Sequence, residues 1–317
     1  MNGEEDRAIR AQPGRPSRLR KYAIETLSTF RVTPAQISVL FAIIIGLAAA
    51  LGSYGFSWLI RFFEEICLGG MREGHHGIFR FLGGYDILVM PAIGGLIVGP
   101  IIYRWAREAK GHGVPEVMTA VLKKGGRIRP IVAVVKSIAS AITIGSGGSA
   151  GSEGPIVQIG AAFGSTMGQL FRMPPQRITN FLACGAAGGI AAIFNAPIAG
   201  VMFSMEVILG EFEKFSFIYV VLAAVTSSAV SQYLKGNQPI FAIRYFKLAS
   251  PLELIAFVFL GVIVAFAARY FAVVLTKFED FFDHKVKGPE YIKPALGGLC
   301  IGVMALLMTS HFQISGK

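Results

Sequence analysis

Charge is what this sequence has least of. Lys, Arg, Asp and Glu make up 15% of its 317 residues, where a soluble domain carries roughly a quarter. Hydrophobic residues reach 53% and the mean hydropathy is +0.58, so a soluble enzyme or scaffold is excluded and an integral membrane protein is implied. Cysteine is scarce too: Cys67, Cys184 and Cys300 stand far apart without metal-ligand spacing, which implies neither disulfides nor a metal site. The polar, Arg-rich first 31 residues lack the apolar core of a cleavable leader. A glycine-rich run in mid-chain lacks the Gly-Lys-Ser/Thr ending that a phosphate-binding loop requires.

The charge that is present is spread in alternation. A net charge of +11 would suit a nucleic-acid binder, but residues 1–31 carry seven Lys/Arg against four acids, 61–86 three against four, and 104–129 seven against two. That is the positive-inside pattern. It predicts a cytoplasmic N-terminus and 104–129 loop, an external 61–86 loop, and a multi-pass protein of the plasma (inner) membrane. The implied partner is the lipid bilayer and not nucleic acid. Uncharged stretches recur at 32–60, 87–103, 137–152, 154–171, 178–205, 215–234, 254–268 and 294–310. Several fall short of the roughly 20 residues a spanning helix needs, and they break at Gly and Pro clusters, as in transporters whose helices stop part-way.

In chain order, Thr33-Pro34 reads as a helix start, with a span from there to about Ile60. The external loop 68–84 holds His75 and His76 without companion ligands, so no metal is predicted. A span at 87–103 returns to the cytoplasm, and Gly111-His112-Gly113-Val114-Pro115-Glu116 opens a helix. A helix over 131–144 leads into Gly145-Ser146-Gly147-Gly148-Ser149-Ala150-Gly151-Ser152-Glu153-Gly154-Pro155, which cannot be helical throughout. The run 154–171 reads as a helix packed on small residues, and a helix over 176–192 follows, dense in Ala and Gly for close packing. Phe194-Asn195-Ala196-Pro197 breaks the chain before a helix carrying Glu206 and Val207. Spans at 215–234 and 251–280 and an apolar stretch from about Pro294 complete the pass.

Chemistry concentrates at Glu153, a single carboxylate between the uncharged stretches 137–152 and 154–171. An ionisable group at membrane depth marks a functional site by default. Gly111–Pro115 and Gly151–Pro155 share one grammar, glycines followed by a proline that opens a helix. Helix N-termini present unpaired N–H groups and the positive end of the macrodipole, and so bind anions without a full positive charge. Candidate anion-binding residues are therefore Gly111, His112, Gly113, Val114, Pro115, Ser152, Glu153, Gly154 and Pro155. Glu153 would compete with the anion for the same amides, plugging the site when docked and opening it when protonated or displaced.

These motifs carry a resemblance. Gly111-His112-Gly113-Val114-Pro115-Glu116 is similar to the Gly-Ser-Gly-Ile-Pro-Glu motif of the CLC chloride channel and transporter family. Gly151-Ser152-Glu153-Gly154-Pro155 resembles its Gly-(Lys/Arg)-Glu-Gly-Pro motif, and Phe194-Asn195-Ala196-Pro197 with Gly200 its next block. The resemblance implies an all-α polytopic membrane protein of broken helices in an inverted repeat, and a homodimer with one pore per subunit. Residues 1–31 would be a basic cytoplasmic segment and 32–317 a CLC-type membrane domain, with a first repeat at about 33–235 and the start of a second at about 251–317. Glu153 would be the gating glutamate of a voltage-gated-type channel, with chloride or a similar anion as transported ligand, no cofactor and no enzymatic reaction.

Departures from the family pattern sharpen the expectations. His112 stands where the family has an anion-coordinating serine. A histidine donates from either ring nitrogen and titrates near neutral pH, so altered selectivity and a plain vestibule residue both stay open. The coupling position aligns with Val207, one residue after Glu206; a valine carries no proton, which leans toward passive conduction over proton-coupled antiport. The family's later Gly-x-Phe-x-Pro motif and pore tyrosine are not found, so the chain is read as C-terminally truncated and not expected to conduct as it stands. The enzyme alternative is an intramembrane serine protease using Ser149, whose glycine-flanked setting resembles the rhomboid family. It needs a general base within hydrogen-bond reach, and His112 is the single histidine placed to approach.

Overall fold

Prolines and glycines set the helix boundaries. The computed structural model describes residues 34–68, 86–210, 212–236, 250, 252–286 and 288–312; no strand occurs among these described residues. Ten α-helices follow in order among them: α1 (Pro34–Leu68), α2 (Asp86–Trp105), α3 (Val114–Lys124), α4 (Pro130–Gly145), α5 (Glu153–Leu170), α6 (Pro175–Phe194), α7 (Pro197–Phe203), α8 (Lys214–Lys235), α9 (Glu253–Asp280) and α10 (Lys293–Phe312). Pro34, Pro115, Pro130, Pro155, Pro175, Pro197 and Pro294 all fall in first turns, where the missing N–H costs no intrahelical bond. Asn195, in the left-handed region at φ 54°, ends α6 two residues before Pro197 restarts the chain. The N-terminal basic segment, Thr33, and His75 and His76 of the 68–84 loop lie outside the described residues.

Five described helices are long and apolar enough to cross a membrane: Gln36–Leu68, Leu88–Trp105, Pro175–Phe194, Ser216–Lys235 and Glu253–Lys285. Pro130–Gly145, Pro197–Leu209 and Lys293–Met308 are shorter apolar helices, as the broken runs of the sequence predict. The protein is thus an all-α, polytopic integral membrane protein. One boundary differs from expectation. α1 does not end near Ile60 but runs to Leu68 through Arg61, Glu64 and Glu65. Its 35 residues extend about 52 Å at 1.5 Å each, more than the roughly 30 Å hydrocarbon layer, so the charged end stands clear of it.

Small residues bring the helices together. α5 and α6 cross antiparallel, and a Cβ on Gly160 or Gly185 would overlap the other's carbonyl oxygen, as one on Gly164 would overlap that of Phe181. α6 also runs alongside α8, where the buried Ser227 and Ser231 hydroxyls donate to the carbonyls of Gly188 and Ala192 at 2.7 and 2.6 Å. Interhelical serine bonds of this kind suit a membrane interior, which offers no water to satisfy a hydroxyl. Around these helices Phe41, Ile45, Phe181, Met205 and Ala223 form one buried cluster, and Val117, Val132, Val157, Ala161 and Leu182 another.

The α2–α10 contact has a symmetry that the stretch-by-stretch reading did not detect. Pro91-Ala92-Ile93-Gly94-Gly95-Leu96 in α2 and Pro294-Ala295-Leu296-Gly297-Gly298-Leu299 in α10 are near-copies. Gly95 lies against the Pro294 carbonyl and Gly298 against that of Pro91; Gly99 lies against Tyr291 and Gly302 against Leu88. Each contact is mirrored by its counterpart, so the two segments cross antiparallel about a local two-fold axis.

Candidate functional site

The site is built where α4 stops and α5 starts. Three carbonyls at the end of α4 are satisfied locally: Gly148 N–H donates to Thr143 at 2.8 Å, Gly147 N–H to Ile144 at 3.0 Å and Ser146 N–H to Ile142 at 2.9 Å. Gly147 at φ 87° makes this a Schellman cap, closing the helix without water. The chain then crosses Ser149, Ala150 and Gly151, all exposed, and re-enters helix at Glu153. In the first turn of α5, Ile156 N–H donates to the Ser152 carbonyl at 3.1 Å and Pro155 has no N–H. The amides of Glu153 and Gly154 are left without an intrahelical acceptor.

The loop before α3 meets this turn directly. Gly111 and Gly113 have φ of 99° and 95°, the region where glycine alone is unstrained, and they flank the exposed His112. A Cβ on Gly113 would overlap the Gly154 carbonyl, and one on Gly154 would overlap the His112 carbonyl. The two glycine motifs that share one pattern in the sequence thus touch through their backbones. They open on a cavity of about 590 Å³ lined by Gly111, His112, Ser149, Gly151, Glu153 and Gly154, and closed on other sides by Lys110, Lys136, Ser140 and Thr143 with Phe271 and Leu275 of α9. Val114 and Pro115 follow in the first turn of α3, and Ser152 is the N-cap of α5.

Glu153 is the single carboxylate in the described lining of this cavity. Its side chain is exposed and folds back over Gly151, into the space a Gly151 side chain would need. In this position it is not docked on the amides of its own turn.

Two groups here were missed by the sequence reading. Lys136 of α4 is 4% exposed, and its Nζ donates to the carbonyls of Ala109 at 3.0 Å and Gly111 at 2.8 Å. Glu116 accepts the Gly113 N–H on Oε2 at 2.7 Å and lays Oε1 over Gly111. A lysine thus takes the loop's carbonyls and a glutamate takes its amide, with opposite charges attracting across it. The consequence for the predicted ligands is specific: the Gly113 N–H is already committed to Glu116, while those of Val114 and Glu116 have no intrahelical acceptor. Glu116 was legible as the acidic partner of a capping box. Lys136 was read only as the edge of the 137–152 stretch.

On the loop's other side, Arg129 forms a bidentate pair with Glu108, Nε to Oε1 at 3.0 Å and Nη2 to Oε2. Partial burial opposes the Glu108 charge, but the Arg129 hydrogen bonds and charge outweigh it and hold the carboxyl below the usual range. The Glu108 carbonyl accepts from Gln158 Nε2 of α5 at 2.9 Å. Glu206 and Val207 lie elsewhere, in a π-helical turn, Ser204–Leu209, that continues α7; Glu206 is exposed and Val207 half-buried. Ser149 and His112 share the cavity, yet no hydrogen bond joins them.

The broken helices, with two N-termini meeting on one cavity, make the chain a polytopic, all-α membrane protein. Residues 94–316 match the family described as voltage gated chloride channel, and the chain belongs to that family. It is 30% identical over 307 residues to the H(+)/Cl(-) exchange transporter ClcA of Vibrio parahaemolyticus, covering 93% of this chain and 63% of that one. It is 31% identical over 292 residues to chloride channel protein CLC-f of Arabidopsis thaliana, covering 86% and 36%. The fold matches the crystal structure of a slow cyanobacterial Cl−/H+ antiporter with TM-score 0.72 at 21% identity, over 87% of this chain and 64% of that one. The chain therefore spans less than two thirds of the length of each of these relatives.

Proposed function

We propose that the protein conducts chloride or a similar small anion passively across the membrane, as a voltage-gated-type channel with Glu153 as its gate. One observation carries this: the N-termini of α3 and α5 meet, glycine against glycine, on a cavity whose described lining holds two lysines and one carboxylate. Amide dipoles and the buried Lys136 attract an anion, and because no lysine need bind it directly, it can leave again. The ionised Glu153 side chain closes the path when it swings from Gly151 onto the amides of its own turn. Val207 at the coupling position supports passive conduction. The same reading places the protein as a homodimer in the plasma (inner) membrane with a cytoplasmic N-terminus, and assigns it no enzymatic reaction. The α2–α10 two-fold pair supports a repeat boundary between residues 235 and 251.

Proton-coupled antiport is the second reading, and two observations favour it. ClcA and the cyanobacterial protein are an exchanger and an antiporter by name. The turn holding Glu206 and Val207 is π-helical, and an extra residue per turn changes the direction of both side chains relative to an α-helix. Simultaneous recording of chloride efflux and proton uptake in liposomes bearing the full-length protein decides between them. Chloride flux without protons, rising in Glu153→Ala, is expected. Protons moving in fixed ratio with chloride, lost in Glu153→Ala, would establish the antiporter, and no anion flux would sink both readings. In the same assay His112→Ser shifts the anion preference or flattens the pH dependence of flux; an unchanged profile reduces His112 to a vestibule residue.

A further inference from the structure

At the far ends of α1 and α8, two cations converge on one serine. Lys235, the last residue of α8, donates from Nζ to the hydroxyls of Ser57 at 3.1 Å and Ser53 at 3.3 Å. Arg61, one turn beyond Ser57, directs Nε to the Ser57 carbonyl at 3.4 Å, close enough for its charge to act on Lys235. Among the described residues no carboxylate forms an ion pair with either; the ion pairs are Lys110–Asp283 and Arg129–Glu108. Glu64 and Glu65 follow Arg61 one turn on in α1 but form no ion pair with either cation; two like charges held together are unfavourable, so the arrangement favours a bound anion.

The surroundings say which kind. Ser53, Ser57 and Arg61 follow one another at helical spacing along α1, and Tyr54, Trp58 and Phe62 run beside them one position on. These rings are 38%, 55% and 44% exposed, with Trp58 and Phe62 stacked at 5.5 Å. On α8, Tyr233 is 90% exposed next to this end. Exposed Trp and Tyr gather where hydrocarbon meets headgroup, and α1 is long enough to emerge from the hydrocarbon layer close to this level. A cationic patch edged by exposed aromatic rings at that depth fits a phosphate with acyl chains below it and not a freely diffusing ion.

We propose that Lys235 and Arg61, braced by Ser53 and Ser57, hold the phosphodiester of an anionic phospholipid headgroup, with Trp58 and Phe62 lying along its upper acyl carbons. The Lys235 ammonium has a third proton beyond the two on the serines, and Arg61 can present its remaining N–H groups as a fork to two phosphate oxygens. The site lies outside the Glu153 cavity and does not depend on the transport reading.

Native mass spectrometry of the detergent-purified protein tests this, after exposure in separate arms to phosphatidylglycerol, phosphatidylcholine or inorganic phosphate. Phosphatidylglycerol is expected to be retained over phosphatidylcholine. Retention should fall about tenfold in Arg61→Gln and in Lys235→Gln, the weight of one charge-assisted hydrogen bond. Arg61 is exposed, so its variant keeps the assay valid if the Lys235 variant fails to fold. Trp58→Ala leaves both cations in place and should weaken the lipid alone. Equal retention in wild type and Arg61→Gln, or no preference between the two lipids, overturns the proposal. Displacement of the lipid by inorganic phosphate, with no effect of Trp58→Ala, overturns the lipid assignment in favour of a soluble oxyanion.

Discussion

α6 and α9 are both apolar helices of a membrane protein, and they have opposite fates. Pro175–Phe194 is 72% buried with a mean hydropathy of 1.4, while Glu253–Lys285 has none of its window buried at 2.4. Within this chain, which spans less than two thirds of its relatives' length, the more hydrophobic helix is the one left exposed. α6 is built from Ala and Gly, and its backbone comes close enough to α5 for glycine to face glycine. α9 carries exposed Phe257, Phe259, Phe266 and Tyr270, and around Gly261 nothing comes within 4 Å. In an apolar solvent hydropathy gives no reason to bury a side chain, and close packing of small residues supplies it instead.

The largest test of that contrast exchanges one glycine in each helix. Gly185→Val puts a branched side chain where a single Cβ already overlaps the Gly160 carbonyl. The helices must separate, and the expected loss is about 3 kcal/mol or more, at the upper end of overpacking costs. Gly261→Ala meets open space and gains helix propensity of about 0.5–1 kcal/mol. Melting of both variants in detergent should show a collapse in the first and an unchanged or slightly raised midpoint in the second. Equal midpoints would break the comparison, because burial would then not be what separates the two helices.

A smaller effect is expected where the tight packing reaches the site. Lys136→Met keeps the length of the side chain but strands the carbonyls of Ala109 and Gly111, which accept its two hydrogen bonds. The expected cost is about 2–3 kcal/mol. It should come with a lower chloride flux, since the loop ahead of α3 loses its hold. If the variant melts lower but conducts normally, Lys136 supports the fold and not the path.

How much of this was legible in the sequence follows from how local each cause is. The breaks at Gly111–Pro115, Gly145–Pro155 and Asn195–Pro197 were readable because glycine and proline act on their own backbone. Glu153 was readable because its isolation is a property of the string. Lys136 was not, since what makes it structural is a pair of carbonyls more than twenty residues earlier, brought to it where the segment from Ala109 to Gly111 lies against α4. The α2–α10 symmetry was present in two near-identical six-residue strings; it surfaces by comparing distant segments, which a reading of one stretch at a time does not do. The exposure of α9 against the burial of α6 was out of reach of hydropathy for the reason given above.

The smallest predicted effect lies outside the membrane layer altogether, at Glu108 and Arg129, and it marks where the logic of packing gives way to that of water. The pair is bidentate but solvent-facing, with side chains 39% and 57% exposed. Screening therefore limits it to under about 1 kcal/mol. Because the Glu108 carboxyl is held below its ordinary range, the contribution is present above the unfolded value of about 4.3 and is lost as pH falls through the lower folded value. The melting midpoint of wild type should exceed that of Glu108→Gln by a degree or so near neutrality, and the gap should close below about pH 4. Added salt should shrink the same gap, because exposed charges are screened. A gap that survives both acid and salt would sink the ion-pair account, because the Glu108 carbonyl bond to Gln158 is common to both proteins and the charge is what the substitution removes.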